Sequence, residues 1–157
     1  MHQKAMAAVI AALLIAFATS EARCGNQKWG PTSFAPDSGY VGADYTHDDG
    51  GALIILCDTN KKLMSYGLIE PRAHWQTGVP VSLTTKADDG STTGPSAAVV
   101  IGPTRVVVGE QSTWDISTMG RAKAFFAIGD GVNARIFPAA NFRETVGSVL
   151  QACGDHW

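Results

Sequence analysis

The segment 141-NFRETVGSVLQACGDHW-157 is the stretch from which the fold can be worked out. Its apolar residues recur at helical spacing and therefore share one face of an α-helix: Phe142, Val146, Val149, Leu150 and Cys153. Asn141 is a typical N-cap residue, Glu144 completes a capping-box-like pair with it, and Gly154 is a common helix terminator. The sequence predicts an amphipathic C-terminal helix that packs on a core and carries a cysteine at the end of its apolar face.

The clearest strand lies upstream, at residues 52–57, where ALIILC is a continuous apolar run typical of a strand covered on both faces. The polar residues 58–62 predict a turn, and residues 63–69 predict the returning strand of a hairpin. We expect the first strand to lie at the centre of the sheet and the terminal helix to pack against it.

Further strands follow along the chain. Residues 79–86 alternate apolar and polar side chains, and Pro80 indicates an edge position. Residues 88–96 predict an exposed loop, whereas the β-rich runs at 97–101 and 104–108 predict two more strands.

The last segments before the terminal helix are a short helix and a second hairpin. Ser112 or Thr113 can cap a helical turn that runs through Met119. Residues 122–128 and 132–137 predict a hairpin, because the Asp-Gly pair between them suits a tight primed turn.

The order of these elements predicts one β-rich domain at residues 51–157. Its fold class is mainly β with α+β character, a compact antiparallel β-sandwich or half-barrel closed by the C-terminal amphipathic helix. Residues 23–50, rich in Gly, Pro, Ser and Asp, predict an irregular N-terminal arm, with a strand near Trp29 laid on the domain.

Residues 1–22 have the features of a signal peptide. Lys4 gives a positive start, an uncharged apolar run follows at 5–18, and Ser20 and Ala22 are small residues at the −3 and −1 positions of a cleavage site. The apolar run is shorter than the roughly 18–20 residues that span a bilayer, so we expect no membrane span after signal removal. The predicted location is periplasmic or secreted.

Composition excludes one class of partner. The net charge is −2, and the chain has no long run of like charges, which argues against nucleic-acid binding through a clustered basic face. His47-Asp48-Asp49 and Asp88-Asp89 do not have the spacing of a calcium loop, and their Asp-Gly endings are typical of turns. We therefore predict no metal site and no cofactor.

Three cysteines, Cys24, Cys57 and Cys153, lie in the part expected to be exported, where thiols that can reach one another pair. Cys57 and Cys153 both end apolar core segments, so we expect a structural disulfide between them. Cys24–Cys57 is the alternative bridge, and the state of Cys24 stays open. No Cys-x-x-Cys motif favours a redox role.

The sequence offers no assembled catalytic group. It has no Gly-x-Ser-x-Gly motif and no clear pair of acidic residues on a cleft-forming element, so we expect no enzyme activity. Trp and Arg are common at binding hot spots. The candidate binding surface therefore combines exposed aromatic and basic residues with an acidic turn: Arg72, His74, Trp75, Trp114, Asp88 and Asp89.

From Gly51 onward the chain resembles exported accessory proteins of the VasI type, associated with type VI secretion, and uncharacterised bacterial relatives. The resemblance rests on LIILC at 53–57, the strand at 79–86 running into Asp-Asp-Gly, the strand at 122–128, and the ending Ala-Cys-Gly at 152–154. It implies a compact β-rich fold, favours pairing of Cys57 with Cys153, and brings no catalytic residue.

The leading hypothesis is a non-enzymatic, exported envelope or secretion-associated accessory protein that binds an unknown protein or cell-envelope component. One alternative is an inhibitor of a cell-wall or host hydrolase, in which the loop at 88–96 plugs an active site. Another is a divergent enzyme that uses Asp115 or the Asp48-Asp49 turn. The oligomeric state is left open.

Overall fold

A computed structural model describes residues 28–109 and 112–157. These ranges contain nine strands and two helices: β1 (Gly30–Thr32), β2 (Tyr40–Thr46), β3 (Ala52–Asp58), β4 (Leu63–Ile69), β5 (Val81–Ala87), β6 (Thr92–Gly102), β7 (Arg105–Val108), α1 (Ser112–Met119), β8 (Phe125–Gly129), β9 (Ala134–Pro138) and α2 (Phe142–Cys153). The predicted signal peptide and Cys24 lie outside the described residues. Neither described helix has the length and apolarity that a bilayer crossing requires.

All nine strands form one antiparallel sheet in the order β1-β2-β3-β4-β7-β6-β5-β8-β9. β6 pairs with β5 through its first part and with β7 through its last part, so it joins the two halves of the sheet. The predicted fold class, mainly β and antiparallel with a closing C-terminal helix, is confirmed. One continuous sheet corresponds to the half-barrel alternative.

The sheet curls so that its two ends meet around Trp29. The ring centroid of Trp29 lies 5.6 Å from that of Tyr45 in β2 and 6.3 Å from that of Phe137 in β9. Its Nε1 donates a hydrogen bond of 2.7 Å to the carbonyl oxygen of Pro138. Phe142 of α2 packs edge-on against the same indole, with centroids 4.8 Å apart. The helix therefore fills the inside of the curl.

β3 and α2 have the burial that their sequences predict. Every residue of β3 is buried, and the buried face of α2 consists of the predicted stripe. Leu53, Ile55 and Cys57 join the core cluster that contains this stripe, whereas Ile54 and Leu56 join a second cluster on the other face. Because β3 contributes to both clusters, its continuous apolar run is explained.

The two core segments are joined at their ends. The Sγ atoms of Cys57 and Cys153 are 2.17 Å apart and their Cα atoms 5.7 Å apart, which is a disulfide distance. The predicted pairing is therefore the one that the fold brings together, across a sequence separation of 96 residues.

Two predicted strand positions are wrong. β3 has β2 and β4 as neighbours, but the middle strand of the order is β7, because β6, β5, β8 and β9 all add beyond it. β5 is an interior strand between β6 and β8 rather than an edge strand. Pro80 precedes the first residue of β5, so its missing N–H does not interrupt the ladder.

Two segments expected to be irregular form strands instead. Only the first part of the predicted loop at 88–96 is a turn, since β6 begins at Thr92. Gly90 has a φ of 90°, a backbone conformation that lets the chain form a tight turn. The residues from Thr92 onward can therefore pair with β5. In the predicted arm at 23–50, β1 lies where a strand was expected, next to Trp29, whereas β2 was not expected and pairs with β3 along its whole length.

The ends of α2 match the sequence in part. Gly154 has the left-handed conformation of a helix terminator, with φ of 86°, and its N–H donates to the carbonyl of Gln151. Asn141, in contrast, has φ of 62° and makes no side-chain cap. It lies within a turn in which the N–H of Phe142 donates to the carbonyl of Ala139. The predicted capping box is therefore wrong.

We expect removal of the Cys57–Cys153 link to destabilise the protein strongly. A crosslink that closes a loop of about 100 residues contributes up to roughly 4–5 kcal/mol in the chain-entropy model. The double variant Cys57→Ala/Cys153→Ala, in a Cys24→Ser background, should lose about 3 kcal/mol or more of unfolding free energy in urea titrations. The oxidised Cys24→Ser protein is the control; equal midpoints would contradict a stabilising bridge.

Candidate functional site

The six residues of the predicted binding surface are divided among two connections and one helix. They are placed in the β4–β5 loop, in the β5–β6 turn and on α1: Arg72, His74 and Trp75; Asp88 and Asp89; and Trp114. Trp114 is the most accessible of the large apolar residues among them, with 75% of its surface exposed. His74 is also exposed.

Trp75 is a structural residue. Its ring packs against the main core cluster, and it is only half-buried. Its Nε1 donates a hydrogen bond of 2.7 Å to Oδ2 of Asp130, and its backbone N–H donates to the carbonyl of Pro103 at 2.8 Å. These contacts tie the β4–β5 loop to the β8–β9 turn, so this tryptophan is held in place by its own fold.

The acidic turn is also occupied by internal hydrogen bonds. Asp88 accepts the backbone N–H groups of Lys123 and Ala124, both at 2.8 Å. Asp89 accepts the hydroxyl and the backbone N–H of Ser91. Hydrogen bonds from these donors lower the pKa of both carboxyl groups. The Asp-Asp-Gly sequence is therefore used to build a turn, as its composition predicts.

The most concentrated group of charges lies where the ends of the sheet approach one another. Arg135 in β9 donates from Nη1 and Nη2 to the two carboxylate oxygens of Asp49, at 3.0 and 2.8 Å. From Nε and Nη2 it donates to Glu70, at 2.9 and 3.0 Å. Arg72 donates to the same Glu70 from Nε and Nη2. We call Asp49, Glu70, Arg72 and Arg135 the charge cluster.

Two of the four residues of the charge cluster are buried, whereas Asp49 and Arg72 are exposed. Glu70 is 1% exposed and Arg135 is 6% exposed. Burial alone raises the pKa of Glu70, but the hydrogen bonds from Arg72 and Arg135 outweigh it and lower the pKa to about 2. Burial also acts on the Arg135 guanidinium, yet its bonds to Glu70 and Asp49 keep its pKa raised. Both groups therefore stay charged, and each needs the other.

His47 lies beside the charge cluster. Its ring packs on Tyr45 and Phe137, with centroids 4.9 and 5.2 Å away, and its Nε2 is buried without a hydrogen-bond partner. Burial and the nearby Arg135 cation lower its pKa, although Asp49 acts in the opposite direction. The imidazole therefore contributes to packing beside the charge cluster.

The charge cluster was missed from the sequence, although a signal existed. In the strand at 134–138, strand alternation places Arg135 on the same face as the apolar Phe137. A buried arginine requires carboxylate partners. Glu70 and Asp49 are those partners, and they lie 65 and 86 positions away in the sequence. The alternation therefore predicts that Arg135 has carboxylate partners, but it does not identify them.

A second missed feature is an apolar surface on the outer face of the β8–β9 hairpin. Phe125 is 47% exposed, Ile136 is 58% exposed, and Val132 at the hairpin tip is 90% exposed. Ala127 stands directly opposite Ile136 in the register, and Phe125 is one diagonal step away. We call Phe125, Ala127, Val132 and Ile136 the hairpin face.

The remaining acidic candidate, Asp115, is not accessible to a substrate. It lies on the buried face of α1 with 0% exposure, and its Oδ2 accepts a hydrogen bond of 2.8 Å from the hydroxyl of Tyr66. Burial and the Asp115 charge raise the pKa of that tyrosine. Within the described ranges, no three His, Cys, Asp or Glu side chains are grouped closely enough to hold a metal ion.

We expect the charge cluster to make the stability of the protein depend on acid pH. Unfolded Glu70 has the ordinary pKa of 4.5, whereas the folded state holds it at about 2. The stabilisation is therefore complete above pH 4.5 and is lost as the pH falls toward 2, because the unfolded state binds the proton first. Urea unfolding from pH 7 to pH 2 should show this decline.

The variant Glu70→Gln should flatten that part of the pH profile. It should also cost about 3 kcal/mol at pH 7, since it leaves the buried guanidinium of Arg135 with one carboxylate fewer. Glu144→Gln, at an exposed position of α2, is the matched control. If the profiles of wild type and Glu70→Gln stay parallel, the cluster does not carry the acid sensitivity.

Comparisons of the chain with protein-family models, with curated proteins and with solved structures gave no match. The resemblance to VasI-type accessory proteins therefore stays a prediction.

Proposed function

We propose that this protein is an exported, non-enzymatic envelope domain that binds a partner protein through the hairpin face. The observation that carries the proposal is the exposure of Phe125 and Ile136, which are diagonal neighbours on a paired hairpin. Large apolar side chains that lie together on a surface are typical of interaction sites, whereas isolated ones are ordinary. The periplasmic or secreted location is part of the proposal, and the cysteine pair at disulfide distance is compatible with it.

The scaffold around the hairpin face supports a role in recognition. The alternate residues Phe126, Ile128 and Phe137 are buried in the core, so the backbone beneath the exposed side chains is fixed. A preorganised surface loses little conformational entropy on binding. Trp75 and Asp130 further hold the hairpin tip through their hydrogen bond.

The positive charge of Lys86, next to the hairpin face, indicates which chemical groups a partner would carry. Lys86 in β5 stands opposite Ala127 in the register, so one row across the sheet reads Lys86, Ala127, Ile136. Lys86 is exposed. A partner with an apolar side chain flanked by a carboxylate would match this row, since the carboxylate can pair with Lys86 at the rim.

The alternatives have less support from the described residues. An inhibitor that plugs an active site needs a projecting loop, but the loop expected at 88–96 is reduced to a short turn before β6. A divergent enzyme would need an accessible acid, and Asp115 is fully buried. Asp49 is committed to Arg135. A link to type VI secretion rests on the sequence resemblance alone.

We expect Ile136→Ser to weaken binding of the partner at least tenfold without unfolding the protein, because a loss of about 1.4 kcal/mol at a hot spot has that effect. Affinity capture from an envelope extract with the exported domain supplies the partner, and titration with the purified partner measures the dissociation constant. Thermal unfolding of each variant verifies the fold.

Val79→Ser is the matched control, because Val79 is a branched apolar residue with 50% exposure outside the hairpin face. Trp114→Ala tests the surface predicted from the sequence. If Trp114→Ala abolishes binding while Ile136→Ser does not, the interface lies on α1 and the hairpin face is the wrong surface. Assays of lysozyme and protease inhibition with the same preparations test the inhibitor alternative.

A further inference from the structure

A notch between the end of α1 and the first turns of α2 holds the indole ring of Trp157. It is formed by four residues: Gly120, Phe142, Arg143 and Gly147. The centroid of the Trp157 ring lies 5.8 Å from that of Phe142, and the guanidinium carbon of Arg143 lies 5.0 Å from the Trp157 ring centroid. We call these four residues the indole notch.

The two glycines create the space for the ring. A Cβ atom at Gly120 would overlap the six-membered ring of Trp157, and one at Gly147 would come within 3.1 Å of its Nε1. A hydrogen bond also joins the two sides of the notch: Nη1 of Arg143 on α2 donates to the carbonyl of Gly120, after α1, at 3.1 Å. The shape of the notch therefore depends on its own residues and not only on the ring that fills it.

Polar groups in the notch favour an indole over other aromatic rings. Nε1 of Trp157 donates a hydrogen bond of 3.0 Å to the backbone carbonyl of Arg143. The cationic side chain of the same arginine is close enough for a cation–π interaction, which is strongest with indole. A phenyl ring could fill the space, but it has no N–H to donate.

The segment that carries Trp157 is separable from the helix. The end of α2 is already capped by the N–H groups of Gly154 and Asp155, which donate to the carbonyls of Gln151 and Leu150. Beyond Asp155, the Trp157 ring is held by its hydrogen bond to the carbonyl of Arg143. Since 39% of Trp157 is exposed, the ring can leave the notch without unwinding α2.

We propose that the indole notch is a ligand site for an indole ring with a free N–H, and that Trp157 is its resident, displaceable occupant. The external ligand is either a free indole compound or a tryptophan side chain of another protein, because both present the same ring and donor. A tethered occupant acts at high effective concentration, so it lowers the apparent affinity for any external ligand. This site is independent of the hairpin face.

The test uses the exported chain with the single change Trp157→Ala and indole as the probe. We expect indole to bind this variant with a dissociation constant of about 1 mM, a reasonable value for a ligand of this size. The backbone amide NMR signals of Gly120, Arg143 and Gly147 should shift on titration. Wild type should bind indole at least tenfold more weakly. 1-Methylindole, which cannot donate to the Arg143 carbonyl, should bind the variant at least tenfold more weakly than indole.

The double variant Trp157→Ala/Gly120→Ala is the matched control, because the added Cβ occupies the volume of the ring. Binding that persists in the double variant, or a folded Trp157→Ala protein that does not bind indole, would overturn the proposal. If Trp157→Ala does not fold at the working temperature, indole should raise its melting temperature, and no increase would count against the site. N-Acetyltryptophanamide in place of indole separates the sources: binding equal to indole indicates a protein side chain, and weaker binding indicates a free compound.

Discussion

The contact on which the rest of this structure depends is the closure of the curled sheet by side chains. β9 is the last strand of the order and has β8 as its only strand neighbour among the described residues. Yet Arg135 joins it to Glu70 at the end of β4 and to Asp49 after β2. Trp29 closes the same seam from the side of β1. If this seam opened, the core on the inside of the curl would reach water.

The closure and the terminal helix stabilise the fold in different ways. α2 fills the curl with apolar side chains, whose burial contributes about 1.5–3 kcal/mol for each large residue as an upper estimate. Arg135 and Glu70, by contrast, are charges withdrawn from water, and their attraction roughly repays that cost rather than adding to stability. The charge cluster therefore acts mainly to fix which strands meet, whereas α2 and the link from Cys153 to Cys57 stabilise the fold by apolar burial and by a crosslink.

The sequence predicts those helices and strands whose own apolar pattern is strong enough to determine their structure. α2 and β3 have strong apolar periodicity or an unbroken apolar run, so both were predicted almost to the residue. β2 was missed because its pattern is interrupted at Gly42, where a Cβ would come within 2.9 Å of the carbonyl of Ile55, and at Asp44, which accepts the hydroxyl of Thr32. Such a strand is specified by its neighbours, which a single sequence does not reveal.

The candidate site was less predictable for the same reason. Exposed Trp114 was recognised as an aromatic surface residue, and its exposure agrees with that interpretation. Trp75 is also a tryptophan in a predicted connection, but its side chain hydrogen-bonds Asp130, 55 positions away, and is therefore held within the fold. The sequence predicts the hairpin at 122–128 and 132–137 but not the exposure of Phe125 and Ile136 on its outer face, because alternation shows that a strand has two faces but not which face a later helix will cover.

The outer edge of β9 is partly occupied by hydrogen bonds from side chains of the same chain. Two backbone hydrogen bonds join β8 and β9 at their ends: the N–H of Asp130 donates to the carbonyl of Asn133, and the N–H of Ala139 donates to the carbonyl of Ala124. Because hydrogen-bonded pairs alternate along an antiparallel ladder, the backbone groups of residues 134, 136 and 138 point to the outer edge. A bare apolar edge of this kind invites strand addition. Here Nη2 of Arg72 donates to the carbonyl of Ala134 and Trp29 donates to that of Pro138, a residue with no N–H to offer. His47 hydrogen-bonds the backbone of Ile136 between them. Because these carbonyls already accept hydrogen bonds from the same chain, addition of a further strand at this edge is disfavoured, whereas the side chains on the outer face of the hairpin stay exposed.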